Sequence, residues 1–243
     1  MTHLTTCPEA ESVAERAAAH VERRLGAALK ERGRAHIALS GGTTPARTYE
    51  LLAARVEDWT GVEVWFADER CVAPQDQQSN YRLAAQALFE PARLPAASVH
   101  RMPGELGPEQ GARAYARELS DGLADTGAPP RQTPVLDLVV LGIGPDGHVA
   151  SLFPGAEALD AGEEVLCVGV HDAPKPPPER ITLSLPVLRA ARGCLLLAIG
   201  ASKSDAVSAM LGERSRHVPA SLLRRERLTV IVDDAAAPPA PRP

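Results

Sequence analysis

A histidine set among glycines is the first place where this sequence looks capable of chemistry. Gly142, Gly144 and Gly147 surround Asp146 and His148 in the run Gly-Ile-Gly-Pro-Asp-Gly-His. An imidazole near its ordinary pKa is neutral at physiological pH and suits a general base. Asp146, two residues away, is placed to fold back and fix the ring's tautomer. The same residues also read as a capping aspartate beside a half-buried histidine. A second segment, Ser40-Gly41-Gly42-Thr43-Thr44-Pro45, joins an apolar run to a helix start. Its glycines allow close backbone approach, its free N–H groups face outward, and its hydroxyls add donors, as an anion site needs. It fits neither Gly-x-x-x-x-Gly-Lys nor Gly-x-Gly-x-x-Gly, so a monophosphate suits it better than a nucleotide. The bland alternative is a glycine turn with a threonine cap.

Two further segments carry charge. Lys203 follows Gly200-Ala201-Ser202 and would add a point charge to the same phosphate. Arg70 closes Asp68-Glu69-Arg70, where it would hold a carboxylate or stabilise an oxyanion, unless the run is simply a solvated charge cluster. Arg180 follows a proline-rich loop and reads equally as a cleft residue or a surface arginine. The other histidines, His3, His20, His36, His100, His171 and His217, form no spaced ligand set with one another or with cysteine. No metal or cofactor is therefore expected.

The elements that must position these residues alternate in type. Val13, Ala17, Val21, Leu25 and Leu29 make one stripe of a helix from Glu9 to Glu31, with Gly33 as its terminator. Short apolar runs at His36–Leu39, Val62–Ala67, Leu136–Leu141, Cys167–Val170, Cys194–Ile199 and Leu228–Val232 read as strands, and Ser98–Arg101 as a shorter one. Helices are expected from Pro45 to about Val56, from Ser79 or Asn80 to Phe89, from Pro108 to Leu123, and from Ser202 to about Leu211. Asp68 to Gln78 reads as a polar loop and Asp125 to Pro134 as a Gly/Pro-rich one. Strands alternating with helices of 10–15 residues imply an α/β fold with a mainly parallel sheet. Such sheets bind ligands at the carboxyl ends of their strands, where the four polar segments all lie.

Composition bounds the partners. The 243 residues are 44% hydrophobic and 23% charged, which suits one globular core, and a single domain from 1 to 243 with a flexible tail from about 235 is expected. Lys and Arg total 26 against 31 Asp and Glu, a net charge of −5, which gives no case for wrapping a nucleic acid. No run approaches the 18 or so apolar residues of a membrane span, and the polar start lacks a signal-peptide pattern, so the cytoplasm is the expected location. Cys7, Cys71, Cys167 and Cys194 are scattered; Cys167 and Cys194 read as buried fillers rather than a disulfide or zinc framework.

Several blocks together resemble the 6-phosphogluconolactonases. They are Ala38 to Tyr49, Trp65 to Val72, Ser79-Asn80-Tyr81, Leu136 to Phe153, Pro174 to Leu183 and Gly200 to Lys203. Ala67, where many relatives carry glycine, is a minor departure. The resemblance implies a modified Rossmann-like fold with a small subdomain, shared with the glucosamine-6-phosphate deaminase/isomerase group. Those deaminases are similar at the phosphate loop and the histidine segment, but typically continue Ile-Ala-Phe-Asn-Glu-Pro. Here the chain reads Val149-Ala150-Ser151-Leu152-Phe153-Pro154, without that acidic residue, and it has Asp-Glu-Arg in place of Asp-Glu-Tyr.

The implied activity is hydrolysis of 6-phospho-D-glucono-1,5-lactone in the oxidative pentose phosphate pathway, with no cofactor. By the same resemblance, His148 would activate the water, Asp146 position it and Arg70 stabilise the oxyanion. Ser40, Gly41, Gly42 and Thr43 would bind the 6-phosphate with Lys203 and Arg180. The substrate is a small sugar-phosphate lactone. No obligate protein partner is expected, only a monomer or weak homodimer. A deaminase/isomerase and a non-catalytic sugar-phosphate sensor are the competing readings.

Overall fold

The computed structural model describes residues 2–124 and 133–238. Most of the expected 125–134 loop and the end of the expected tail, 239–243, lie outside the described residues. Six strands form one parallel sheet: β1 (His3–Cys7), β2 (Ala35–Leu39), β3 (Val62–Phe66), β5 (Leu138–Gly142), β8 (Cys194–Ala198) and β9 (Leu228–Asp233), in the order β1-β9-β8-β5-β2-β3. The central strands β2 and β8 are buried at every residue, which explains why they read as continuous apolar runs rather than alternating ones. A smaller antiparallel sheet has the order β4-β7-β6, built from β4 (Asp68–Arg70), β6 (Cys167–Val170) and β7 (Arg180–Leu183).

The chain crosses from one sheet to the other at a single buried residue. The Ala67 N–H donates to the Leu39 carbonyl of the large sheet, and its carbonyl accepts from the Leu183 N–H of the small one, both at 2.8 Å. The polar loop expected from Asp68 therefore starts as a strand. Three charged residues carry no apolar alternation, so only their pairing with β7 makes them a strand. The expected strand at Ser98–Arg101 is corrected as well. Ala96–Ser98 is a 3₁₀ turn that the Val99 N–H closes on the Ala96 carbonyl, so only Val99 bridges to Val64, whose carbonyl accepts the His100 N–H at 2.8 Å.

The helices are α1 (Ala10–Arg32), α2 (Thr43–Arg55), α3 (Asn80–Ala84), α4 (Glu90–Ala92), α5 (Gly107–Gly122), α6 (Leu185–Ala190) and α7 (Ser204–Leu211). Helix α1 buries Val13, Ala17, Val21 and Leu25 as its stripe requires, and ends where Gly33 takes φ 71° and returns its N–H to the Leu29 carbonyl. Helix α5 buries Ala112, Tyr115 and Leu119. A π-helical stretch, Ala85–Phe89, joins α3 to α4. Ala236, beyond β9, is buried, and its N–H bonds to Asp233. Among the described residues no helix is long and apolar enough to cross a membrane.

This topology fixes where a ligand can go. From β2 the chain moves outward to β3, whereas β5, β8 and β9 build outward on the other side. Strands β2 and β5 pair in parallel, Ile37 with Leu138 and Ala38 with Val139. Their carboxyl ends flank the point where the winding reverses, and a crevice opens there in folds of this type.

Candidate active site

The segment after β2 is held from below. Tyr49, buried on α2, donates its hydroxyl to the Ser40 carbonyl at 2.8 Å and accepts the Ser40 N–H at 3.2 Å. Gly41 packs so closely on Asn80 that a Cβ there would lie 1.8 Å from Asn80 Oδ1. Gly42 precedes α2 with φ 110°, a conformation that favours glycine. Helix α2 begins at Thr43 rather than Pro45, so its first N–H groups open beside the loop. The Ser40 Oγ is buried without a hydrogen-bond partner. A buried hydroxyl with no partner is costly and fits a ligand-binding position.

The segment after β5 is a tight loop that aims His148. The Gly144 N–H donates to the His148 carbonyl, and the Gly147 N–H to the Gly144 carbonyl, both at 2.9 Å. Nδ1 of His148 lies 2.6 Å from Asp146 Oδ1. A Cβ on Gly144 would come within 2.0 Å of that Nδ1, so the ring occupies the space of a missing side chain. Its other face meets Phe153, ring centroids 4.6 Å apart. Ala150 takes φ 50° just beyond, strain of the kind that collects at functional sites.

Burial pushes the His148 pKa below its ordinary value, and the nearby Asp146 charge and hydrogen bond offset this only in part. The ring is therefore a neutral base at pH 7. Burial opposes ionisation of Asp146 too, but the facing His148 outweighs it, and the carboxyl stays below its usual range. With Nδ1 engaged by a carboxylate, Nε2 is the nitrogen left to work as the base.

The small sheet supplies the opposite wall. Asp68 and Glu69 are buried, not a solvated cluster. Glu69 accepts the Asn80 N–H at 2.7 Å, the Tyr81 N–H at 2.8 Å, the Arg70 N–H at 2.7 Å and the Ser79 hydroxyl at 3.0 Å. Asp68 accepts the Ser151 hydroxyl at 2.8 Å. Arg70 donates from Nη1 to the Gln78 carbonyl, while its buried Nε has no partner. Arg180 lies buried beside Arg70 in the β4–β7 register. Its Nε donates to the Pro177 carbonyl at 3.1 Å and its Nη2 to the Lys175 carbonyl at 2.9 Å. Lys203 closes a 3₁₀ turn after β8, immediately before α7. That turn is pinned by Asp233, whose carboxylate accepts the Gly200 N–H at 3.0 Å. Burial and the charge of Lys175 push the Lys203 ammonium down.

One cleft brings these residues together. Ser40, Gly41, Gly42, Thr43, Arg70, His148, Arg180 and Lys203 all line it, and Asp146 contributes through His148. No group of three or more His, Cys, Asp or Glu is gathered as a metal site among the described residues.

Comparison with known proteins bears directly on what such a cleft serves. Residues 8–232 match the family described as glucosamine-6-phosphate isomerases/6-phosphogluconolactonase. The chain belongs to that family. A 6-phosphogluconolactonase of Streptomyces coelicolor is 38% identical over 96% of this chain and 92% of its own length. The 6-phosphogluconolactonase of Mycobacterium tuberculosis is 36% identical over 95% of both chains. The crystal structure of 6-phosphogluconolactonase from Thermotoga maritima superposes with a TM-score of 0.83 at 27% identity, covering 96% of this chain and 99% of that one.

Within this family member, sequence reasoning missed two cleft residues. Asn80 reads, with no role in the site, as part of the Ser79-Asn80-Tyr81 block and as an alternative to Ser79 for the helix cap. Ser79 does that work instead, accepting the Arg82 N–H, while Asn80 lines the cleft with its Oδ1 buried and unpartnered. Its signal was the adjacency to Gly41, which is tertiary. Lys175 also lines the cleft, from a proline-rich loop that reads locally as a connector.

Proposed function

We propose that this chain hydrolyses 6-phospho-D-glucono-1,5-lactone to 6-phospho-D-gluconate, the lactonase step of the oxidative pentose phosphate pathway. The observation that carries the reading is the His148–Asp146 pair in one cleft with the Ser40–Thr43 loop and Lys203. The 6-phosphate is bound by backbone N–H groups at the start of α2, the Ser40 hydroxyl and Lys203, so binding energy from a remote group orients the lactone. Nε2 of His148 takes a proton from water as the water oxygen attacks C1. Asp146 stabilises the imidazolium that forms. The Arg70 guanidinium faces the oxyanion on the former carbonyl oxygen. Collapse of the tetrahedral intermediate breaks the bond from C1 to the ring oxygen, and His148 returns its proton to that leaving oxygen. Every step uses groups of this chain, with no metal and no covalent nucleophile.

The deaminase/isomerase reading is less well supported. The acidic residue that follows the histidine in those enzymes has no counterpart in Val149–Pro154, where Ser151 bonds to Asp68 instead. Leu106 is the one large apolar side chain well exposed among the described residues, which fits a monomer or weak homodimer.

The test is acid release from the lactone, followed with a chelator present and corrected for spontaneous opening, beside ammonia release from glucosamine 6-phosphate. Enzyme-dependent lactone opening without ammonia release is the expected result. Ammonia release without lactone opening would replace this reading with the other.

A further inference from the structure

Lys175 has no role in the reaction as described above, yet the loop that carries it is built into the cleft. The Ala173 N–H donates to the Pro178 carbonyl at 3.0 Å and closes the base of the loop. Arg180, buried at the start of β7, turns two guanidinium nitrogens back onto the Pro177 and Lys175 carbonyls. Its guanidinium carbon sits 5.5 Å over the Phe153 ring, which also packs on His148. A continuous chain of contacts thus links the Lys175 backbone to the catalytic imidazole. The Lys175 side chain is exposed and lines the cleft, and no ion pair ties its ammonium among the described residues.

Charge around the cleft is unbalanced. Arg70, Lys175, Arg180 and Lys203 line it against one lining carboxylate, Asp68, which is itself hydrogen-bonded to Ser151 and Asn80. Four cations against one anion leave an excess of three positive charges, most of which a phosphate dianion would offset. The charge of Lys175 disfavours the Lys203 ammonium, an arrangement that is relieved when an anion lies between them.

We propose that Lys175 is a second ammonium ligand of the substrate's phosphate, brought by the proline-rich loop to face Lys203, and that Arg180 holds that loop in place. The proposal rests on the phosphosugar reading of the cleft. It assigns Arg180 chiefly to positioning, since two of its three nitrogens are already committed to loop carbonyls. It also gives Lys175 a measurable effect on His148. The charged groups facing that imidazole are Asp146, Asp68 and Lys175. The two carboxylates favour its protonated form and Lys175 opposes it.

Inorganic phosphate titrated calorimetrically into the wild type, Lys175→Met and Lys175→Arg tests the assignment without requiring turnover. Lys175→Met is expected to weaken phosphate binding by about tenfold or more, the size of one lost charge-assisted hydrogen bond. Lys175→Arg should keep most of the affinity. On the lactone, Lys175→Met should raise KM more than it lowers kcat, and move the acid limb of kcat/KM to higher pH. A merely structural lysine on an exposed loop would not move that limb. Unchanged phosphate affinity in Lys175→Met overturns the proposal even if the wild type opens the lactone. If the wild type leaves the lactone untouched but Lys175→Met loses phosphate affinity, the lactonase reading falls and the Lys175 assignment stands.

Discussion

The Asp146–His148 pair depends on the turn between them more than on either residue alone. One intervening glycine at φ 82° lets the carboxylate reach back to Nδ1, and the bare Cα of Gly144 leaves room for the ring. This pairing was legible in sequence because it is local: two residues, two apart, among glycines. Asp146→Asn should lower kcat by on the order of 10² or more, because the partner that fixes the tautomer and stabilises the imidazolium is lost. The pH profile carries the sign. Asp146 raises the His148 pKa, so the variant's acid limb should move to lower pH, and a rate profile in matched ionic strength will show it. The places of Lys175 and Asn80 in the cleft were not legible at this scale, although both residues lie within blocks that resemble the family. Each reaches the cleft across sequence separations that no local pattern records.

At the scale of elements, β2, β5 and β8 announced themselves as short apolar runs, and so did β6 of the small sheet, whereas β4 did not. Strand β4 consists of Asp68, Glu69 and Arg70, and nothing in its composition distinguishes it from a solvated loop. Strand β1 was missed for a related reason: His-Leu-Thr-Thr-Cys is polar and lies at a sheet edge. What makes β4 a strand also makes it functional, since it carries Arg70 and Asp68 into the cleft while Glu69 faces away to gather the N–H groups of Asn80 and Tyr81. Glu69→Ala would leave those buried donors without an acceptor. Such a loss should cost about 2–4 kcal/mol of stability, read as a lower midpoint in urea unfolding. Activity should fall with it, because Asn80 and Arg70 lose their common anchor.

For the whole molecule, the order β1-β9-β8-β5-β2-β3 puts the reversal of winding between β2 and β5, and the sequence-level argument from strand ends holds because all six strands of that sheet run parallel. Stability has its own pH signature. His20 on α1 accepts a hydrogen bond from Arg23 Nη2 at 3.1 Å, and burial, with Arg23 and Arg24 nearby, lowers its pKa to about 4. Burial lowers His36 as well. Groups held below their unfolded pKa favour the native state while neutral, so their contribution is present above about 6.5 and is lost as pH falls towards their native values. His100 runs the other way. Its ion pairs with Glu118 and Glu63 outweigh burial and raise it, so its contribution is full below about 6.5 and fades as pH rises through its native pKa. Between pH 7 and pH 5 the wild type should therefore lose more stability, or gain less, than His20→Gln, as read from unfolding free energies at the two pH values.

The central claim is that His148 performs the chemistry while the Ser40–Thr43 loop and Lys203 perform the binding. The measurement that separates these is kcat for 6-phospho-D-glucono-1,5-lactone in His148→Ala, corrected at each pH for spontaneous opening, alongside the affinity of the same protein for inorganic phosphate. The account predicts a fall in kcat of about 10²- to 10⁴-fold, with phosphate affinity close to that of the wild type. In the wild type the acid limb of kcat/KM, which reports the free enzyme, should lie below about 6.5, because burial depresses the His148 pKa. A folded His148→Ala protein that keeps near-normal corrected kcat would contradict the account and place the base elsewhere in the cleft.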